Sequence, residues 1–328
     1  MNKILISICL SVLMLTSAQS TTKNNPTERQ KVADYLQEIS VTIRAESQYN
    51  KSEGSGVLIS REIDGEMITF VWTCGHVVDN MKKVRTVIRN GIAAKLVEFG
   101  DVQIIKELVE EGRRVGEIKM DAAVVKYSDA TDGEDLALLM VRAKDYAKDS
   151  ARFHLSDSNH GIVPIGTELF HVGSLLGQRG SNSMTSGIIS QVGRTLGKVE
   201  YDQTTVTAFP GSSGGGVYLQ SGEYVGMIVR GAGEGFNLMV PVRRMARWAS
   251  EHDILWALDP DAKAPSLKEI RSLPVETTGD KVRKVDTKYY SGDEFPYRIR
   301  IIKNDRGPKI KDRIYRYDAS SDFELELK

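Results

Sequence analysis

From Val41 to Ile254 the chain is cut into short segments: SGVLIS, MITFVW, AAVVKY, DLALLMV, GIISQV, TTVTAF, GGGVYL and YVGMIV. Gly, Asn, Asp and Ser fill the gaps between them. β-Branched and aromatic residues favour extended backbone, and the turn formers interrupt it before any run grows long. Many short strands at this spacing predict an all-β barrel or sandwich.

The flanks differ in texture. MNKILISICLSVLMLTSAQS carries one lysine, an apolar run from Ile4 to Leu15, and small residues around Ser17 and Ala18. This is the layout of a secretory signal peptide, with cleavage expected between Ala18 and Ser20. The apolar run is shorter than the roughly 20 residues that span a bilayer, and nothing later in the chain could span one. Next, KNNPTERQKVADYLQEI offers a cap at Asn25-Pro26-Thr27 and then Val32, Tyr35, Leu36 and Ile39 at helical spacing. MARWASEHDILWAL, from Met245, reads as a closing helix. Leu96–Lys119 is rich in charge and reads as a surface insertion, partly helical. After Leu258, DPDAKAPSLKEIRSLPVETTGDK reads as a linker before a charged tail in which NDRG could turn a hairpin. The expected organisation is therefore 1–20 signal peptide, 21–50 N-terminal helix and first strand, 51–257 main domain, and 258–328 linker and charged extension.

Charge narrows the partners. Lys+Arg and Asp+Glu both number 44, so the formal net charge is zero. No global basic field exists to gather nucleic acid or coat an anionic membrane. Of the two cysteines, Cys9 lies in the leader, which leaves Cys74 alone and no intrachain disulfide available. An exported chain of this kind must be held by its core, and 328 residues are enough to build one.

FPGSSGGGV, Phe209–Val217, packs four glycines and two serines into nine residues. A slack loop is one reading. The other is a tight turn that exposes the hydroxyl of Ser213 and aims the N–H groups of Gly211 and Ser213 at a developing oxyanion. A serine needs a base. Of His76, His154, His160, His171 and His252, only His76 has a setting that explains itself, an apolar strand ending in a small-residue turn (FVWTCGHVVDN). A base needs an orienting carboxylate. Asp135 opens an apolar strand, where an acid calls for a partner, whereas Asp129 and Asp132 lie in the turn and face water more easily. Each of these three signals is weak alone.

Together they run in the order His, Asp, Ser, as in the chymotrypsin-like double β-barrels. The resemblance extends to the HtrA/Deg-type serine proteases. TCGHVVDN is similar to that family's T-N-A-H-V-V, and EDLALLMV to T-D-L-A-V-L-K-V. MTSGIISQVGR resembles T-x-G-I-V-S-x-x-G-R, PGSSGGGVY resembles P-G-N-S-G-G, and GEGFNLMVPV resembles a strand ending in G-F-A-I-P. It covers roughly Gly54 to Trp248 in the correct order. The resemblance implies a chymotrypsin-like double β-barrel with a short N-terminal helix, a closing helix and a charged extension. His76 would be general base, Asp135 its orienter and Ser213 nucleophile, in a serine endopeptidase acting on protein or peptide substrates without metal or cofactor. Ser212 stands where the family usually has Asn and the trypsin branch has Asp, which argues against activation by a freshly cut N-terminus. The segment after Leu258 does not read as a PDZ domain. The pocket floor would lie at Thr207, with Val229, Arg230 and Gly231 as the facing wall. These residues imply a small or medium neutral side chain before the scissile bond. Arg230, if turned inward, would select a carboxylate, though a solvated strand arginine is the commoner case. Family members often assemble as trimers through N-terminal segments, so the resemblance implies that Val32–Ile39 could serve a homo-oligomer; the same stripe could pack on its own barrel. A catalytically silent module that binds peptides or a partner is the competing expectation.

Overall fold

The computed structural model describes residues 27–48, 50–89, 92–110, 113–155, 161–196, 199–231 and 235–276. The signal-like leader, Cys9, His160 and the NDRG turn lie outside the described residues. α1, Glu28–Glu38, starts where the sequence marks it. Thr27 caps the helix, its hydroxyl accepting from the Gln30 N–H while the Gln30 side chain accepts from the Thr27 N–H. Leu36 and Ile39 are fully buried, and Val32 and Tyr35 pack against the same core, so the apolar stripe of α1 lies on its own barrel.

The first half closes into a six-stranded barrel. Its members are β1 (Ser40–Glu46), β2 (Lys51–Ile63), β3 (Glu66–Thr73), β6 (Val102–Glu110), β7 (Arg113–Ser128) and β8 (Leu136–Lys144), in the order β1-β2-β3-β8-β7-β6. Between β3 and β6 lie a short helix, α2 (Gly75–Val78), and a separate hairpin of β4 (Lys82–Arg89) and β5 (Ile92–Phe99). Ile43, Val57, Ile59, Phe70, Trp72, Ile104 and Leu138 are fully buried. Burial of each such side chain contributes about 1.5–3 kcal/mol.

The second half forms another barrel from β10 (Glu168–Leu175), β11 (Gly180–Leu196), β12 (Val199–Thr204), β13 (Gly216–Leu219), β14 (Glu223–Gly231) and β15 (Asn237–Pro241). The order is β13-β10-β11-β12-β15-β14, and β13–β14 pairing closes the ring; β9 (Arg152–Phe153) adds in parallel outside β14. α3, Val242–Glu251, then folds back with Met245 and Trp248 buried. The double barrel expected from the sequence is the fold.

Four sequence readings are corrected. Leu96–Lys119 is no insertion: it holds the end of β5, all of β6 and the first part of β7, and β6 and β7 close the barrel. Its charges mislead because they pair with one another or with α1, as Lys106 does with Glu38, while the apolar residues between them face the core. Arg114 pairs with Glu107 at 2.9 Å and Glu117 at 2.5 Å, while Val102, Ile104 and Ile105 are buried. TTVTAF is mostly not strand, since β12 ends at Thr204. Beyond it the Asn237 side-chain amide donates to the Val206 carbonyl at 2.7 Å and the Thr205 N–H to that of Ile188 at 3.0 Å, in place of a ladder. The closing helix begins at Val242, three residues before Met245, because Pro241 can serve as its N-cap. Finally, the supposed linker contains α4 (Leu267–Ser272), capped reciprocally by Ser266 and Glu269, with Ile270 buried. The segment after α4 then joins the first barrel. Val275 accepts from the Tyr127 N–H at 2.8 Å, and the Pro274 carbonyl accepts from the Lys126 ammonium at 2.8 Å.

Candidate active site

The site follows from strand register. β3 and β8 are antiparallel neighbours with Thr73 opposite Ala137. His76, three residues beyond Thr73, and Asp135, two before Ala137, therefore emerge at the same end of the barrel. They meet there. His76 Nδ1 lies 3.0 Å from both Asp135 carboxylate oxygens, and the His76 backbone N–H donates to Oδ1 at 2.9 Å. Asp135 is buried to 1% exposure, whereas the imidazole is 37% exposed. A carboxylate beside Nδ1 puts the ring proton on that nitrogen and leaves the Nε2 lone pair facing outward. Asp129 does other work, accepting from the Thr131 and Asp132 N–H groups within its turn. Of the other histidines, His171 is buried in the second barrel and His154 sits beside Glu223 at 3.4 Å.

Ser213 comes from the second barrel, in the turn just before β13, and this turn is stitched to the first. Its carbonyl accepts from the Ser55 N–H at 2.8 Å. Gly54 lies between the Ser213 carbonyl and the side chain of Val77, the residue after His76: a Cβ on Gly54 would sit 3.1 Å from the one and 2.6 Å from the other. Gly214, with φ +86°, fits against the Ser55 carbonyl and Thr73 Oγ1, where a Cβ would approach to 2.2 and 2.4 Å. The Ser213 turn thus rests on the end of β3 that leads to His76. No hydrogen bond joins Ser213 Oγ to His76 among the described residues.

The backbone around Ser213 has a defined direction. The Pro210 carbonyl accepts from the Leu176 N–H at 2.8 Å, and the Gly211 carbonyl from Ser55 Oγ at 2.7 Å. In a trans peptide the N–H opposes the carbonyl, so the Gly211 N–H points away from Leu176. Among the described residues neither the Gly211 nor the Ser213 N–H meets a protein acceptor. Gly211 has φ +100°, which glycine tolerates. Ser212 closes the turn from within: its N–H donates to the Phe209 carbonyl at 2.8 Å and its hydroxyl accepts from the Phe209 N–H at 3.1 Å.

The expected pocket residues lie after β12 and in β14. Thr207 is exposed and its carbonyl accepts from Thr185 Oγ1 at 3.0 Å. Val229 is buried at a bulge in β14, and Gly231 is exposed. Arg230 is exposed and turned toward the first barrel, its guanidinium donating to the Ala130 carbonyl at 3.1 Å. Sequence reasoning missed Ser55, which braces Gly211 and Ser213, and Asn237, whose amide bridges toward Val206; neither residue type announces such a role.

Cys74, His76 and Asp135 bring three potential metal-donor atoms within 4.8 Å of one another. The Cys74 thiol, however, is fully buried and donates to the Ile228 carbonyl at 3.3 Å. Burial, and then the charge of Asp135, push its pKa well up, so it stays a thiol and a poor ligand.

Residues 54–227 match the family described as the trypsin-like peptidase domain, and the chain belongs to that family. Among curated relatives it is 29% identical over 181 residues to "Serine protease Do-like HtrA" of Lactobacillus helveticus, covering 54% of this chain and 35% of the relative. It is 31% identical over 185 residues to "Probable periplasmic serine endoprotease DegP-like" of Halomonas elongata, covering 55% and 30%. The chain thus spans about a third of the length of the curated relatives it matches. Among solved structures, the serine endoprotease from Yersinia pestis aligns at TM-score 0.47 and 20% identity, covering 71% of this chain and 68% of that one.

Proposed function

We propose that the chain is an exported serine endopeptidase that hydrolyses peptide bonds through Ser213, His76 and Asp135. The observation that carries the reading is the grip of one buried carboxylate on both Nδ1 and the backbone N–H of His76. In the first step His76 Nε2 takes the Ser213 hydroxyl proton as Oγ attacks the substrate carbonyl, and Asp135 stabilises the imidazolium. The oxygen that becomes negative accepts from the Gly211 and Ser213 N–H groups. Return of the proton to the leaving amine gives the acyl-enzyme, and water then repeats the sequence to release the acid.

The substrate would lie extended along Val229–Gly231 as an added strand. Thr207 carries no charge, and Arg230 is engaged by Ala130, so a neutral side chain of small or medium size is the favoured residue before the cut. Export rests on the first twenty residues and on the periplasmic designation of a relative. Among the described residues no helix is long and apolar enough to cross a membrane. A silent peptide-binding module would be favoured by a Pro210 carbonyl turned into the cleft, but Leu176 holds that carbonyl the other way.

The test is labelling of the purified protein by a fluorophosphonate, together with cleavage of an unfolded protein substrate. Ser213→Ala should abolish labelling and lower kcat by about 10⁶-fold while keeping the fold. Undiminished cleavage by Ser213→Ala would move the nucleophile elsewhere.

A further inference from the structure

We propose that Arg244, on the closing helix α3, is a positioning residue that holds Asp135 in place through Glu134. The inference rests on the reading of Asp135 as the orienter of His76. Asp135 has φ +54°, in the left-handed region that few non-glycine residues adopt and that aspartate tolerates better than most. The rotation φ is measured about the bond between the Asp135 nitrogen and its Cα. Whatever fixes the preceding peptide plane therefore sets where the carboxylate points.

That plane is held at both ends. Its N–H, belonging to Asp135, donates to the Asp129 carbonyl at 3.2 Å. Its carbonyl, belonging to Glu134, accepts from Nη2 of Arg244. The same guanidinium uses Nε to grip the Glu134 carboxylate, so one side chain fixes both the backbone and the side chain of the residue before Asp135. The Glu134 N–H in turn donates to Ser128 Oγ at 2.7 Å. Arg244 is itself immobilised: Nη1 donates to the Glu200 carbonyl at 2.9 Å, and its guanidinium lies 4.7 Å from the ring centre of Tyr201. Arg244 is 0% exposed and the Glu134 side chain 2%.

A buried pair of this kind is weak evidence of a stabilising role, because desolvation offsets the attraction. Its geometry accounts for it better. The planar fork of arginine, which lysine lacks, reaches a carboxylate and a carbonyl at once. The helix that closes the second barrel thereby sets the backbone of the first barrel's acidic residue.

Stability and positioning separate in the double variant Glu134→Leu/Arg244→Met, which replaces the pair by apolar groups of similar size. Such replacements are commonly neutral or stabilising. Because Arg244 also serves the Glu134 and Glu200 carbonyls, the expected result here is a folded protein with a moderately lowered denaturation midpoint and unchanged KM. The kcat per fluorophosphonate-titrated site should fall about 100-fold, as for a displaced catalytic group. Wild-type kcat in the folded double variant would overturn the inference and leave the proposed function intact. If the double variant does not fold, Arg244→Lys decides: it keeps the charge but not the fork, and a folded lysine variant with wild-type kcat would equally overturn it. A wild-type protein that neither labels nor cleaves would sink the proposed function and this inference with it.

Discussion

His171 should make the fold sensitive to acid. Its ring is fully buried on β10, with Nδ1 bonded to the Gly216 carbonyl at 2.9 Å and Nε2 without a partner among the described residues. Gly215 and Gly173 press on it so closely that a Cβ on either would come within 2.7 and 3.0 Å of the ring. A second proton would have to sit on Nε2, where nothing receives it, and burial accordingly pushes the pKa down from 6.5 to about 4. Because the folded value is depressed, the unfolded chain binds the proton first. Stability is therefore full above pH 6.5, is lost as pH falls from there, and reaches its floor near pH 4. Each pH unit inside that window costs about 1.4 kcal/mol. Moving from pH 7.5 to pH 5 should remove about 2 kcal/mol, and the whole window about 3 kcal/mol. Equilibrium denaturation at the two pH values, on wild type and on His171→Gln, isolates this contribution from other titrating groups. The glutamine amide can still donate toward the Gly216 carbonyl but cannot take up the proton. Equal acid-induced losses in the two proteins would refute the assignment.

Three further predictions follow from contacts elsewhere. Gly214→Ala, at φ +86° and with its Cβ 2.2 Å from the Ser55 carbonyl, should destabilise the protein by about 3 kcal/mol or more, measured by the denaturation midpoint. Cys74 should resist a disulfide-exchange reagent in buffer and react in guanidinium, because burial raises its pKa and blocks access; rapid labelling of the folded protein would contradict its placement. Ile270→Ala in α4 should cost about 2–5 kcal/mol; a loss near zero would return residues 267–276 to the status of a loose extension.

What the sequence made legible was the chemistry carried by short motifs. The surroundings of His76, the acid that opens β8 and the glycine-serine turn each contain a local contradiction: a polar group where packing calls for an apolar one, or glycines where a strand should continue. Such contradictions can be read without coordinates; the short strands with turns between them pointed to a barrel or sandwich, and the family resemblance to two barrels. The rest depends on partners distant in the chain. β6 and β7 looked like an insertion because charge per residue says nothing about which side of a strand it occupies. Lys106, for example, is 6% exposed yet pairs with Glu38 of α1. Arg244 lies just ahead of MARWAS, outside the helix expected from Met245, and only the fold reveals Glu134 opposite it. α4 was hidden by prolines that flank it without entering it.

The turn at Ser212 bears on how such a protein would be held in check. A loop that must wait for a newly liberated chain terminus to fold against is dormant until another enzyme cuts it. Here the Ser212 hydroxyl and N–H already lace the turn to Phe209, and no acidic group stands there to receive an ammonium. On the proposed reading, the turn that carries Ser213 is laced together by its own residues rather than by a liberated terminus.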